Sequence, residues 1–207
     1  MTDLAARIEA IRQRIPAGVT LLAVTKTVPP EQVDAALNAG ITVFGENKVQ
    51  EARAKIALVS SRARWHFIGH LQSNKARDAV ELFELIHSVD SVKLAGELNK
   101  WAEHAGKTQP ILLEVNVAGE ASKFGIKPED LPATLAQIRE LPRLEVHGLM
   151  TVPPVKDPRP CFRRLRELRD ANGLRELSMG MSHDFEIAIE EGATIVRLGT
   201  AIFGERK

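Results

Sequence analysis

The strongest constraint on the fold is an alternation of short apolar segments, rich in Val, Ile and Leu, with segments of helical periodicity. Strands separated by helices pair in parallel, and eight of them suit a closed (β/α)₈ TIM barrel of the α/β class. An open doubly wound sheet is the alternative, but no G-x-G-x-x-G motif follows the first predicted strand. The predicted strands cover residues 20–25, 42–44, 65–68, 85–89, 111–117, 144–150, 176–179 and 194–198.

Helix signals fill the intervals between these strands. The segment "PEQVDAALNAG" begins at Pro30 and stops at Gly40, with Val33, Ala36 and Leu37 on one face. Further helices are predicted in "ENKVQEARAKIALV", "DSVKLAGELNKWAEHAG" and "DFEIAIEEG", and one over residues 1–16 before the first strand. Because the shortest barrels of this type take about 200 residues, we expect a single domain over residues 1–207.

Charge and cysteine content narrow the function classes. A formal net charge of +1 argues against a nucleic-acid surface or a polybasic membrane patch. No apolar run approaches the ~20 residues of a membrane span. The single cysteine, Cys161, cannot form an internal disulfide, which favours a reducing cytoplasm. The pattern shows no obvious exposed apolar stripe, and this favours a monomer.

Lys26, in "LLAVTKTVPP", comes directly after the first predicted strand. The C-terminal ends of the strands form the working face of such barrels, so we expect the Lys26 amine to open into the barrel mouth beside apolar walls. A neutral amine attacks aldehydes and forms imines. The alternative is a lysine whose stem covers apolar surface while its charge stays in solvent.

Glycines and small hydroxyl residues follow the seventh and eighth predicted strands, in "LSMGMSHDFE" and "VRLGTAIFG". They are Ser178, Gly180 and Ser182 after the seventh strand, and Gly199 and Thr200 after the eighth. Such residues at helix starts expose backbone N–H groups that bind phosphate. Barrels frequently hold phosphate in these two loops. Ordinary N-capping by Ser182 and Thr200 is compatible with that role.

A reactive lysine beside a phosphate site points to a ligand that carries both an aldehyde and a phosphate, and pyridoxal 5′-phosphate (PLP) carries both. In PLP sites the lysine forms the Schiff base, and an Asp or Arg meets the pyridine nitrogen. Arg197 lies two residues before Gly199 and is placed to reach that nitrogen. A permanently charged guanidinium keeps the nitrogen unprotonated, so the ring withdraws electrons weakly.

Eight segments resemble, in order, the signatures of the pyridoxal phosphate homeostasis proteins, a family related to the barrel domain of bacterial alanine racemase. The segments are "AVTKT", "FGENKVQE", "WHFIGHLQSNK", "HSVDS", "VNVAGEASKFGI", "GLM", "LSMGMSHDFEIAI" and "VRLGTAIFG". The resemblance extends from Leu21 to Gly204. It implies a barrel like the N-terminal domain of alanine racemase.

The resemblance also implies the site and its role. PLP is expected to bind through Lys26, and the partners implied are PLP and PLP-dependent apoenzymes. The implied role is to carry or buffer PLP within the cell, without an evident reaction. The other cofactor-binding residues implied are Asn47, Met150, Ser178, Gly180, Arg197, Gly199 and Thr200, with His70 lining the same mouth.

Two enzymatic hypotheses stay open beside the carrier. One is a PLP-dependent amino-acid racemase-like activity, and the other is a Schiff-base aldolase in which Lys26 attacks the substrate carbonyl directly. The related racemases use a tyrosine from a partner subunit as second base, and this chain contains no tyrosine. The carrier role is therefore the favoured prediction.

Two histidines and one further lysine carry weaker signals. His66 and His70 are four residues apart in "HFIGH", but Gly69 breaks a helical pairing and no Cys or carboxylate joins them at ligand spacing, so no metal site is expected. Lys123, in "EASKFGI", is a hypothetical second amine near the mouth that accepts the cofactor in transfer. A solvated loop lysine is the alternative there.

Overall fold

Eight parallel strands form a closed barrel in the structure, a computed structural model that describes residues 2–120, 124–154 and 156–205. Each strand pairs with the next along the chain, and β1 pairs with β8 to close the ring. This closure excludes the open doubly wound sheet and confirms the predicted TIM barrel. The strands are β1 (Thr20–Val24), β2 (Val43–Glu46), β3 (Arg64–Phe67), β4 (Leu85–Val89), β5 (Gln109–Glu114), β6 (Leu144–Met150), β7 (Glu176–Ser178) and β8 (Ile195–Leu198).

Helices surround the barrel. The first is shorter than the predicted 1–16, because Ile15 precedes Pro16 and a residue before proline disfavours helical backbone. Within the described ranges, no helix combines the length and apolarity that a membrane span needs. The helices are α1 (Thr2–Arg12), α2 (Pro30–Asn38), α3 (Val49–Ile56), α4 (Ala76–Leu82, after a 3₁₀ turn at Ser73–Lys75), α5 (Val92–His104), α6 (Leu131–Arg139), α7 (Arg159–Ala171), α8 (Phe185–Glu190) and α9 (Thr200–Phe203).

Two strands, β2 and β5, differ from their predicted bounds by two residues or more at one or both ends. β2 continues past the apolar run, because Gly45 and Glu46 still pair with β3. β5 ends at Glu114, three residues before the predicted end. Beyond it the chain pairs with its own loop: Ile126 donates its N–H to the Glu114 carbonyl, and Asn116 donates to the Ile126 carbonyl. Apolar content marks a strand core well and its polar ends poorly.

Side chains of the strands divide between the barrel interior and the layer under the helices. Leu22 and Val24 face the interior, while Ala23 between them packs in the outer layer. Gly45 keeps the interior open, because a Cβ there would lie 3.1 Å from Ile68 Cδ1 and closer still to Leu22. The buried apolar interior consists of Leu22, Val24, Val43, Leu85, Leu112, Met150 and Ile195.

The spacing between β6 and β7 yields a stability test. A Cβ on Gly148 would lie 2.6 Å from the carbonyl carbon of Glu176 in the neighbouring strand. Gly148→Ala therefore has to push the strands apart, and we expect it to lower the free energy of unfolding by about 3 kcal/mol. Gly96, inside α5, has open space around the same position, so Gly96→Ala should raise stability by about 0.5–1 kcal/mol. Urea unfolding compares the two variants, and equal stabilities would contradict this account.

Candidate functional site

Lys26 lies at the barrel mouth beside the last strand. The β1–β8 register pairs Leu22 with Arg197, and extending it brings Gly199 level with Val24 on a strand about 5 Å away. Alternation from the interior-facing Leu22 and Val24 places Lys26 on the inner side of the rim. Its side chain is half-buried, and its amine has no hydrogen-bond or ion-pair partner within the described part of the chain. The amine is therefore available to a ligand in the mouth.

The turns after β7 and β8 meet at Ser182. Its hydroxyl oxygen accepts hydrogen bonds from the backbone N–H groups of Gly199 (3.3 Å) and Ala201 (3.2 Å), at the start of α9. Thr200 lies between these two donors as the first residue of the helix. Neighbouring backbone donors that converge on one oxygen form the kind of cradle that also accepts an anionic oxygen. The sequence marked Ser182 as a cap of the following helix, whereas the structure makes it the partner of the β8 turn.

Gly180 shapes the turn between these elements. Its φ of +90° is one that side chains other than glycine rarely adopt. A Cβ there would lie 2.5 Å from the Cβ of Ala188 in α8. Its carbonyl accepts the backbone N–H of Arg197 at 2.9 Å. Gly180 therefore lets α8 pack tightly while it ties the β7 turn to β8.

Ser178 does not occupy the position that the phosphate prediction requires. Its side chain is fully buried inside the barrel. Its hydroxyl oxygen accepts a hydrogen bond from Arg197 Nη1 at 2.8 Å and lies 2.8 Å from His87 Nδ1. The hydroxyl at the phosphate turns is that of Ser182, four residues later. Ser178 thus supports Arg197 from below.

Arg197 is a buried cation held at two points. Besides Ser178, its guanidinium donates from Nη2 to the backbone carbonyl of Thr151 at 2.9 Å. Burial lowers the pKa of Arg197 to about 10, and the nearby carboxylates of Glu114 and Asp184 oppose that shift. The group therefore stays charged at neutral pH. Since a guanidinium has five N–H donors, further donors remain to meet a ligand acceptor.

Two buried histidines extend this contact across the barrel. His66 Nδ1 lies 3.0 Å from His87 Nε2, and His87 Nδ1 lies next to Ser178. Burial, with the positive charge of Arg64, lowers the pKa of His66 to about 3. Burial, with His66 and Arg197, lowers the pKa of His87 well below its usual value, so both rings are neutral.

The donors and acceptors of these side chains indicate the direction of the hydrogen bonds from Ser178 to His66. Ser178 accepts from Arg197, so its own hydrogen is free to point at His87 Nδ1. If Ser178 donates to His87 Nδ1, the neutral His87 carries its proton on Nε2 and donates it to His66 Nδ1. The sequence analysis did not identify His87. Its place two residues after the interior-facing Leu85 on the same strand was the available signal.

Asn47 presents an unpaired acceptor near the mouth. Its side-chain Oδ1 is buried and accepts no hydrogen bond from any described residue. Gly69 fixes the backbone behind it, because a Cβ on Gly69 would lie 2.7 Å from the Cα of Asn47. A buried amide oxygen without a partner costs free energy unless a ligand donor meets it. Asn47 therefore fits a residue that contacts a bound cofactor.

The remaining predicted mouth residues divide into three cases. Met150 is buried at the end of β6 and forms part of the apolar barrel interior. His70 stacks on Phe124 with ring centroids 3.6 Å apart, and its Nδ1 lies 3.6 Å from Asp90. Lys123 lies outside the described residues. In the described ranges, no three His, Cys, Asp or Glu side chains are grouped to hold a metal ion.

Comparison with known proteins shows the family of this chain. The family model for the N-terminal domain of alanine racemase matches residues 1–207. The pyridoxal phosphate homeostasis protein of Aquifex aeolicus is 51% identical, over 90% of this chain and 87% of its own length. The protein of the same name from Pseudomonas aeruginosa is 49% identical, over 100% of this chain and 94% of its own.

Solved structures give the same result. PipY of Synechococcus elongatus without PLP has a TM-score of 0.92 and 41% identity, over 97% of this chain and 100% of its own. With PLP bound, PipY has a TM-score of 0.90 and 40% identity over the same shares of both chains. Alanine racemase of Clostridium difficile shares the fold, with a TM-score of 0.82 at 12% identity over 100% of this chain and 57% of its own. The chain thus belongs to the pyridoxal phosphate homeostasis protein family, within the group defined by the alanine racemase N-terminal domain.

Proposed function

We propose that this chain binds PLP through a Schiff base on Lys26 and carries or buffers the cofactor for PLP-dependent apoenzymes. The relatives named for PLP homeostasis and the PLP-bound PipY structure support the ligand. The observation that supports the proposal is the pairing of β1 with β8, because Lys26 follows β1 and the Gly199 turn follows β8 on the adjoining strand. One molecule with an aldehyde and a phosphate spans that arrangement.

The residues at the mouth match the groups of PLP one by one. PLP would supply an aldehyde, and Lys26 would provide the amine that forms the Schiff base with it, with loss of one water. The turn formed by Gly199 and Thr200, with the Ser182 hydroxyl beside it, would hold the phosphate. Arg197 donates to the pyridine nitrogen. Asn47 contacts a polar group of the cofactor, while Met150 forms the apolar floor.

Arg197 favours carriage over catalysis. Its pKa of about 10 keeps the guanidinium charged, so it donates a hydrogen bond to the pyridine nitrogen and cannot also protonate it. An unprotonated ring withdraws electrons weakly. Ser178 and the neutral His87 behind it add no acid that would change this. The absence of tyrosine from the sequence removes the second base used by the related racemases.

The first test is the absorption spectrum of the purified protein with PLP. Wild type should show the visible band of a Schiff base, and borohydride should abolish it and add the cofactor mass at Lys26. Lys26→Ala should lose the band, because Lys26 is the amine that follows β1, the strand paired with β8 and its Gly199 turn. Lys93→Ala, which changes an exposed lysine on α5, should keep it. A band that survives in Lys26→Ala would contradict the proposed attachment.

A second test separates the carrier from an enzyme. Amino acids incubated in heavy water with the PLP-loaded protein should exchange their α-protons at the rate given by free PLP alone. The physical reason is that the pyridine ring of PLP would withdraw electrons weakly, because its nitrogen would face Arg197 and stay unprotonated. Exchange at enzymatic rates that disappears in Lys26→Ala would instead establish a racemase-like activity.

The carboxylate of Glu114 makes the stability of the folded protein depend on pH. Burial and the negative charge of Asp90 raise the pKa of Glu114 to about 7, and Arg197 opposes the shift. The folded protein therefore holds a proton on Glu114 that the unfolded chain releases near pH 4. Because the folded state binds more protons in this range, this group makes stability fall as pH rises from about 4 to 7.

Glu114→Gln removes that loss, because the amide is neutral at every pH. The variant should match wild type near pH 4 and be more stable by about 2 kcal/mol above pH 7, after allowing for partial exposure of the carboxylate. Chemical unfolding of both proteins between pH 4 and 8 measures the difference. A difference that does not vary with pH would show that Glu114 ionises normally in the folded protein.

A further inference from the structure

The two residues that flank Lys26 are held by three ionisable side chains from β2 and α3: Glu46, Glu51 and Lys55, here called the Lys55 cluster. Lys55 Nζ donates to the backbone carbonyl of Thr25 at 2.5 Å and lies 2.6 Å from Glu46 Oε1. Its distance to Glu51 Oε1 is 3.4 Å. The cluster therefore grips the backbone immediately before the reactive lysine.

The same cluster holds the residues on both sides of Lys26 by further bonds. The Thr25 hydroxyl donates to Glu46 Oε1 at 2.6 Å. On the other side, the backbone N–H of Thr27 donates to Glu51 Oε1 at 2.5 Å. Each neighbour of Lys26 is thus tied to a carboxylate that also contacts Lys55.

The backbone held in this way is strained. Thr27 has a φ of +63°, in the left-handed region that β-branched residues strongly disfavour. Such a conformation persists only where surrounding contacts impose it. The bond from Thr27 to Glu51 and the bonds around Thr25 are the contacts that do so here. Without them, the turn has a lower-energy backbone to adopt.

The burial of the cluster sets it apart from a surface ion pair. Glu46 is fully buried and Lys55 is 6% exposed, while Glu46 Oε2 has no hydrogen-bond partner among the described residues. Burying two opposite charges costs about as much desolvation free energy as their attraction returns, so such a pair adds little to stability compared with apolar residues. A cluster of this kind beside the reactive lysine calls for a role other than stability.

We propose that Lys55 and Glu46 are positioning residues for Lys26, which hold the strained turn from Thr25 to Thr27 so that the Lys26 amine points into the mouth. The proposal rests on the function proposed above. It assigns the cluster to the covalent step alone, because the phosphate turns and Arg197 belong to β7 and β8, whereas the cluster lies on β2 and α3, at the opposite edge of β1.

The test compares two ligands on the variant Lys55→Met. PLP can form the Schiff base, whereas pyridoxine 5′-phosphate carries an alcohol in place of the aldehyde and binds only non-covalently. Lys55→Met should weaken PLP binding as a Schiff base about tenfold, read from the visible band, because the amine is no longer aimed. Affinity for pyridoxine 5′-phosphate, read by fluorescence, should change less than about twofold.

Two further variants keep the test decisive if the single variant folds poorly. The pair Glu46→Gln with Lys55→Met removes both buried charges, so it should fold as wild type by thermal unfolding yet still form the Schiff base poorly. Adding Thr27→Gly to Lys55→Met should restore much of the band, because glycine adopts the positive φ without strain. In the wild-type background Thr27→Gly should have little effect.

The outcomes separate this proposal from the function on which it rests. If wild type forms no Schiff base with PLP, the proposed function fails. If wild type forms it and the folded double variant forms it equally well, only the positioning role fails. Equal losses of both ligands would also overturn that role, because they would show a general disturbance of the mouth.

Discussion

The pairing of β1 with β8 is the interaction on which the rest of this molecule depends. It joins the first strand of the chain to the last, with Leu22 opposite Arg197. Lys26 follows one of these strands, and the Gly199 turn follows the other. Lys26 and the Gly199 turn come together only when β1 pairs with β8. The site therefore requires the whole closed barrel. Of all the strand pairs, this one joins residues farthest apart in the sequence. Closing it therefore carries the largest loop-closure entropy, which slows its formation.

A buried positive charge near the barrel axis shapes the interior around it. Arg197 is supported by a serine hydroxyl and a backbone carbonyl, and neutral histidines continue the polar chain away from it. Burial, and after it repulsion from His66 and Arg197, lowers the pKa of His87 and keeps its ring neutral. The carboxylate of Glu114, on β5, partly compensates the charge of Arg197. Burial and Asp90 raise the pKa of Glu114, and Arg197 opposes this shift. The barrel thus keeps one charge at its centre and surrounds it with dipoles.

The sequence predicted the barrel, with Lys26 after its first strand and glycine-containing turns after its last two, because each follows from local pattern and strand order. Side-chain depth was harder to predict. Alternation shows that Ser178 faces inward, but its partner His87 comes from a strand 91 residues away, so the bond that removes Ser178 from the phosphate site is invisible locally. The Lys55 cluster was missed for the same reason. Lys55 follows a helical pattern as an ordinary polar residue, and only the packing of α3 against β2 buries it.

Gly69 and Asn47 make the two sides of the mouth unequal. Their backbones lie so close together that a methyl group on Gly69 does not fit between them. The loops after β2 and β3 therefore pack together as one wall. Across the mouth, the segments after β5 and β6 carry the exposed side chains of Phe124 and Val152. The two sides meet where Phe124 stacks on His70, after β3. Residues inserted after β6, near Val152, are therefore expected to disturb the first side less than residues inserted after β5.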